Sequence, residues 1–196
     1  AALFDSIAIS AIAPESPGWT ARARAWALTH KATALAAAND TAALKPLADS
    51  IFRIGARSGF GRDWRLHHYV RGLLLARQGR SAVAEREFQR ALYSVRGGFS
   101  RINFELARMY LLRGNPDEAV GILAPTLLRG PLEASNLYLT RTELHIAMGE
   151  ALALAGRDDD AAAHYRWVLD AWKAADPAFH TRRDEISRRL AELTRG

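Results

Sequence analysis

The sequence contains no cysteine. That excludes a thiolate nucleophile, a disulfide framework and any zinc site built on cysteine, but leaves the compartment open. Long apolar runs are also missing. No stretch approaches the roughly 20 residues that a membrane-spanning helix needs. The opening AALFDSIAISAIA is apolar but short, is broken by Asp5 and Ser6, and has no basic flank, so it makes a poor secretory signal. Lysine is scarce: Lys31, Lys45 and Lys173 are the only lysines among 27 basic residues. The chain starts at Ala1 and not at methionine, which suits a fragment or a processed product.

What is present describes a folded protein. Hydrophobic residues make up 49% of the 196 and charged residues 24%, a globular composition. The net charge of +6 is unevenly spread. From Arg53 to Arg113, thirteen arginines stand against Asp63, Glu85, Glu87 and Glu105; from Arg141 onward the balance is close to neutral. A basic middle can meet an acidic partner or nucleic acid. The simpler reading is an arginine-rich solvated surface.

Internal repeats decide the architecture. Three segments align: LHHYVRGLLLARQGRSAVAEREFQRAL, RINFELARMYLLRGNPDEAVGILAPTLL and ELHIAMGEALALAGRDDDAAAHYRWVL. Each reads as an apolar helix, a glycine turn and a second helix. The turn glycines are Gly79, Gly114 and Gly156, placed where a helix ends in the left-handed conformation. Five residues later stands a small residue (Ala84, Ala119, Ala161), and nine later a large one (Phe88, Leu123, Tyr165). Seven residues before each glycine stands another small residue (Gly72, Ala107, Gly149). Small residues there allow two helices to approach closely, and the large one fills the space between them.

This pattern resembles the tetratricopeptide repeat family. The resemblance rests on Gly72, Gly79, Ala84, Phe88, Ala91 and Leu92; on Leu106, Ala107, Tyr110, Gly114, Ala119 and Pro131; and on Gly149, Gly156, Ala161, Tyr165 and Leu169. Thr126 and Val168 depart from it, standing where a small alanine is usual, and the second join carries about seven extra residues. The third segment's HYRWVLDAWKAADP loosely resembles C-terminal repeat regions attached to bacterial regulatory proteins, so the chain is expected to be part of a larger bacterial protein.

Weaker units flank the three repeats. Residues 17–58 read as a degenerate helical hairpin, with Trp19, Ala23, Trp26, Ala27 and Ala34 at helical spacing, Asn39 at the turn, and Leu44, Leu47, Ile51 and Phe52 on one face of the second helix. Pro46 falls in or just after the first turn of that helix, where proline is tolerated. Asp176-Pro177 ends the last repeat. Residues 178–194 then form a helix with an apolar stripe of Phe179, Ile186, Leu190 and Leu193 and arginines mostly off it, which suits a capping helix. The expected fold is all-α: one domain over residues 1–196, with repeats at 64–97, 100–131 and 136–175 and a terminal cap, stacked as a right-handed solenoid of about nine helices.

Candidate chemistry is thin. Gly55 to Asp63 is glycine-rich but lacks the strand and the Gly-Lys-Ser/Thr ending of a phosphate loop, so it reads as a flexible joint. Asp158, Asp159 and Asp160 open a helix, where carboxylates cap amides and complement the dipole. Glu143, His145, Glu150 and His164 share one repeat but lack a metal-binding spacing, and a packing role is expected for them. No catalytic residue, cofactor or metal site is expected. In DWRLHHYVRG, His68 falls at a packing position and is expected in the core. His67 lies about 100° away around the helix and is expected to be more exposed, so the two rings are not expected to share a ligand.

Recognition is what remains. In the family that the sequence resembles, ligands lie along a concave groove made by the first helix of each repeat. The matching positions are Tyr69, Leu73, Ala76 and Arg77; Arg101, Phe104, Arg108 and Leu111; and Glu143, Ile146, Glu150 and Leu154. Arg77, Arg101 and Arg108 suit bidentate capture of carboxylates. The competing reading is that Tyr69 and Phe104 pack internally, or that the terminal helix fills the groove. A Lys-and-Asn clamp used by some family members is not reproduced, since Tyr69, Leu73, Glu143 and Ala147 stand at four of its places. The expectation is a non-catalytic scaffold binding a peptide or protein segment in that groove, with acidic segments suited to its arginines. Nucleic-acid binding through the basic middle and a purely structural spacer are the alternatives.

Overall fold

The computed structural model describes residues 16–93, 100–128 and 139–195. Among them are nine α-helices and two short 3₁₀ turns, and no strand. The all-helical fold read from the repeats is what is found. Pro131 and the extra residues of the second join lie outside the described residues. Contacts gather in two units, residues 1–102 and 103–196.

The first unit holds α1 (Pro17–Ala37), α2 (Leu44–Gly55), a 3₁₀ turn (Asp63–Arg65), α3 (Leu66–Arg77), α4 (Ser81–Ala91) and the start of α5 (Ser100–Leu112). Proline in the first turn of α1 is tolerated because its missing N–H has no intrahelical partner there. Alanine then lets α1 lie close to its neighbours: Ala21, Ala25, Ala32 and Ala36 are buried along one face. In α2 the buried stripe is Leu44, Ala48, Ile51 and Gly55. Phe52, expected on that face, is instead exposed, with its ring 4.8 Å from that of His67. The register of the buried stripe turns Phe52 outward.

The turns repeat one geometry. Gly79 has φ +72°, and the amide of Arg80 reaches back to the Leu75 carbonyl at 3.0 Å. Asn115 to Tyr110 and Arg157 to Leu152 repeat that reach at 2.9 Å, after Gly114 and Gly156. The degenerate hairpin does the same: Asn39 has φ 59°, and the Asp40 amide bonds the Leu35 carbonyl at 2.9 Å. These are Schellman ends, which satisfy the last carbonyls of one helix and turn the chain into the next.

The close approach that the small residues permit is tight. A Cβ on Gly72 would stand 2.5 Å from the Phe88 ring, and one on Gly149 would stand 2.5 Å from the Tyr165 ring. In the middle hairpin, Ala107 and Leu123 are both fully buried.

The second unit comprises the rest of α5, α6 (Pro116–Leu128), α7 (Arg141–Leu154), α8 (Asp158–Ala171), a 3₁₀ turn (Pro177–Phe179) and α9 (His180–Leu193). Thr126, which departs from the family pattern, takes a hydrogen bond from Asn103 at 2.9 Å and so ties α6 to α5. Helix α7 opens with a reciprocal cap between Thr140 and Glu143. Helix α8 carries its three aspartates in the first turn, but no side-chain cap bond forms at its N-cap, Arg157; Asp160 is paired with Arg157 instead. The aspartates therefore face the helix dipole without the expected capping bond. Ile186 of α9 is buried with Tyr165, Val168 and Trp172, and Leu190 and Leu193 pack against this cluster.

Candidate partner-binding site

Helix α9 packs against α8. Beside it lies a pocket of about 570 Å³ lined by Arg108, Leu111 and Leu112 of α5, Glu150, Ala153 and Leu154 of α7, Tyr165 of α8, and Arg189, Glu192 and Leu193 of α9. The size falls within the range of ligand pockets. Leu112 and Leu154 are 69% and 66% exposed, an unusual state for two leucines beside one cavity.

Arg189 organises the floor. It donates to Glu150 and, at 2.7 Å, to Glu185. Its charge also acts on the neighbouring Tyr165 phenol. Burial alone would lower the guanidinium pKa, but the Glu185, Tyr165 and Glu150 interactions outweigh it and raise the value. Burial raises the Tyr165 phenol, against the pull of Arg189. Both groups hold their ordinary charge at neutral pH. The polar part of the pocket lining is thus internally paired through Arg189, beside Leu111, Leu112, Ala153 and Leu154.

The candidate groove positions divide. Arg108, Leu111, Glu150 and Leu154 meet in this pocket. Arg108 also bonds Glu105 at 3.0 Å. Ile146 packs against the cluster of Tyr165, Val168, Trp172 and Ile186. Glu143 is taken up by the cap with Thr140. Phe104 and Arg101 are half-buried. In the first unit Tyr69 is 0% exposed, with its hydroxyl 3.2 Å from that of Thr33, and Leu73 is buried. These two cannot meet a partner on the surface and are corrected to core residues. They pack because α1 covers α3 on the side where an open groove was expected. Arg77 is exposed in the last turn of α3.

The histidine expectations are also corrected. His67 is the buried ring, fixed by Nδ1 on the Trp64 carbonyl, and His68 is the more open one, 2.8 Å from Glu87. Their rings lie 3.9 Å apart, and the Trp64 ring of the preceding 3₁₀ turn stands about 6 Å from each. The joint from Gly55 to Asp63 ends in an anchor. Asp63 is fully buried, takes the Trp26 indole N–H at 3.0 Å and bonds Arg22 at 3.3 Å.

His145 and His164 do meet, Nδ1 to Nδ1 at 2.9 Å, but Glu143 and Glu150 are engaged elsewhere. Among the described residues no three His, Cys, Asp or Glu side chains are grouped to hold a metal. The His145 ring stacks on Trp167 at 3.8 Å. Burial, then the neighbouring His164 and Arg141, lower His145 to about 4. Burial also lowers His164, against the pull of Asp160. The folded state therefore holds fewer protons than the unfolded chain below the ordinary histidine pKa of about 6.5, and stability falls as pH drops from there toward 4. At pH 5, about 1 kcal/mol of the loss is expected from His145 once solvent screening of its open side is allowed for. Urea unfolding at pH 7 and pH 5 should show the loss, and a His145→Gln/His164→Gln variant should lose less between the two. An equal loss in both proteins would contradict it.

Two organising residues escaped the sequence reading. Asp63 looked like the end of a loop, and only its position before the first repeat hinted at an anchor. Arg189 was one of four arginines on an amphipathic helix, and nothing local distinguished it.

A family model, Tetratricopeptide repeat, matches residues 66–90, 104–125 and 142–167. These segments coincide with the α3–α4, α5–α6 and α7–α8 hairpins. No curated protein and no solved structure matches the chain.

Proposed function

We propose, from the premise that the chain belongs to the tetratricopeptide repeat family through its three hairpins, that it is a non-catalytic interaction module whose second unit binds a protein or peptide segment in the pocket beside α9. Repeats of this family generally serve protein–protein interaction, and the chain's own residues are consistent with that use. The observation that carries the reading is the 570 Å³ cavity with its exposed Leu112 and Leu154 over a floor already paired by Arg189. A lining whose charges are already paired calls for no counter-charge from the partner at Arg189. The rim suits an apolar side chain, and Arg108 at the edge, half-exposed beyond its bond to Glu105, suits a carboxylate on the same segment.

Selection from a random-peptide phage library on the unaltered protein tests this. Enriched peptides should carry an apolar anchor, and Leu154→Asp should weaken their binding about tenfold or more, in line with loss of a buried anchor contact. Leu154 is exposed, so the substitution should leave the fold intact. Binding that survives Leu154→Asp and Leu111→Asp would remove the pocket as the site.

A further inference from the structure

A second surface, in the first unit, does not depend on the pocket. Charge divides with the two units. Residues 1–102 hold fifteen lysines and arginines against seven acids, a balance of +8, and residues 103–196 hold twelve against fourteen, a balance of −2. The first unit also presents aromatic rings to solvent. Trp19 is 56% exposed and Tyr93 58%, with Phe60 and Trp64 partly exposed.

These rings contact one another and the unit's arginines. Trp19 and Phe60 meet edge to face at 5.0 Å, and the Arg22 guanidinium lies 4.3 Å from the Phe60 ring centre. Arg22 is itself held by the buried Asp63, together with the Trp26 indole. Gly61, next to Phe60, leads to Tyr93: a Cβ there would stand 3.9 Å from that ring. Arg65 then links Tyr93 and Trp64, 5.7 and 5.5 Å from their ring centres, and is anchored to the Leu92 carbonyl at 3.0 Å. Tryptophan, tyrosine and arginine dominate binding hot spots, and side chains ordered before binding lose little entropy when a partner arrives.

We infer that this aromatic–arginine surface docks an acidic protein segment bearing one aromatic or leucine anchor. The unit's positive charge favours acidic partners over neutral ones. The arginines among the rings are already bonded, Arg22 to a carboxylate and Arg65 to a carbonyl. They act through their field and as ring supports more than as open forks for a phosphate chain, which favours a peptide over a nucleic acid.

The test uses the full chain carrying Leu154→Asp, so that the pocket of the second unit is spoiled and failure of the two proposals can be told apart. A random-peptide phage library is selected on it, and enriched peptides are synthesised with a fluorescent label. The expected peptides carry aspartate or glutamate around a tryptophan, phenylalanine or leucine. Their binding weakens with added salt and falls about tenfold or more when Trp19→Ala and Tyr93→Ala are added. Both residues are more than half exposed, and circular dichroism checks that the fold survives. The inference is overturned by absence of enriched peptides, by peptides without acidic residues, or by affinity that survives the two alanines. Tighter binding of a labelled oligothymidylate, lost in the same variant, would also overturn it and assign the surface to nucleic acid.

Discussion

Replacing Asp63 with alanine is expected to cost about 3 kcal/mol of stability, the range for breaking a buried charge pair from one side. The carboxylate has no exposed surface. It accepts the Trp26 indole at 3.0 Å and Arg22 at 3.3 Å, and Arg62 stands 4.0 Å away. Removing it takes away the acceptor of the Trp26 indole N–H and the anion that Arg22 holds in the core. Asp63→Asn keeps an acceptor for the indole and should lose about half as much. Urea unfolding followed by tryptophan fluorescence reads the effect, because Trp19, Trp26 and Trp64 surround this point. A loss below about 1 kcal/mol in the alanine variant would mean that the loop is not anchored there.

The second large effect is at the hairpin seam. Phe88→Ala should cost about 4 kcal/mol, the range for emptying a fully buried aromatic site. Gly72→Ala should also destabilise, by about 2 kcal/mol, although alanine is the better helix former. Its methyl would stand 2.5 Å from the Phe88 ring, closer than either helix can yield cheaply. The two changes act on one space, so the double variant should lose less than the sum of the single losses by about 1 kcal/mol or more. Strict additivity would contradict the tight seam.

The same seam explains what was legible in the sequence. Gly72, Gly79 and Phe88 define a hairpin by spacing alone, and that spacing recurs at Ala107, Gly114 and Leu123 and again at Gly149, Gly156 and Tyr165. Local sterics set these positions, and local sterics are written in local sequence. Even Asn39, standing in for a glycine, adopts the left-handed turn. What depends on the chain from farther away was not legible. Tyr69 holds a groove position by register, yet α1 supplies Thr33 and covers it. Helical angle separated His67 from His68, yet their rings lie 3.9 Å apart. Of the candidate groove, Arg108, Leu111, Glu150 and Leu154 converge because α7 and α9 frame them, and Arg189, the residue that pairs the floor, reaches Glu150 across 39 positions of sequence.

The most direct measurement of the interaction-module reading is amide chemical-shift mapping of the full chain during titration with a peptide selected on the chain carrying Trp19→Ala and Tyr93→Ala. Shifts confined to Arg108, Leu111, Leu154, Arg189 and their neighbours are predicted, with the α1–α2 hairpin unmoved by that peptide. Saturable binding whose shifts avoid these residues would contradict it.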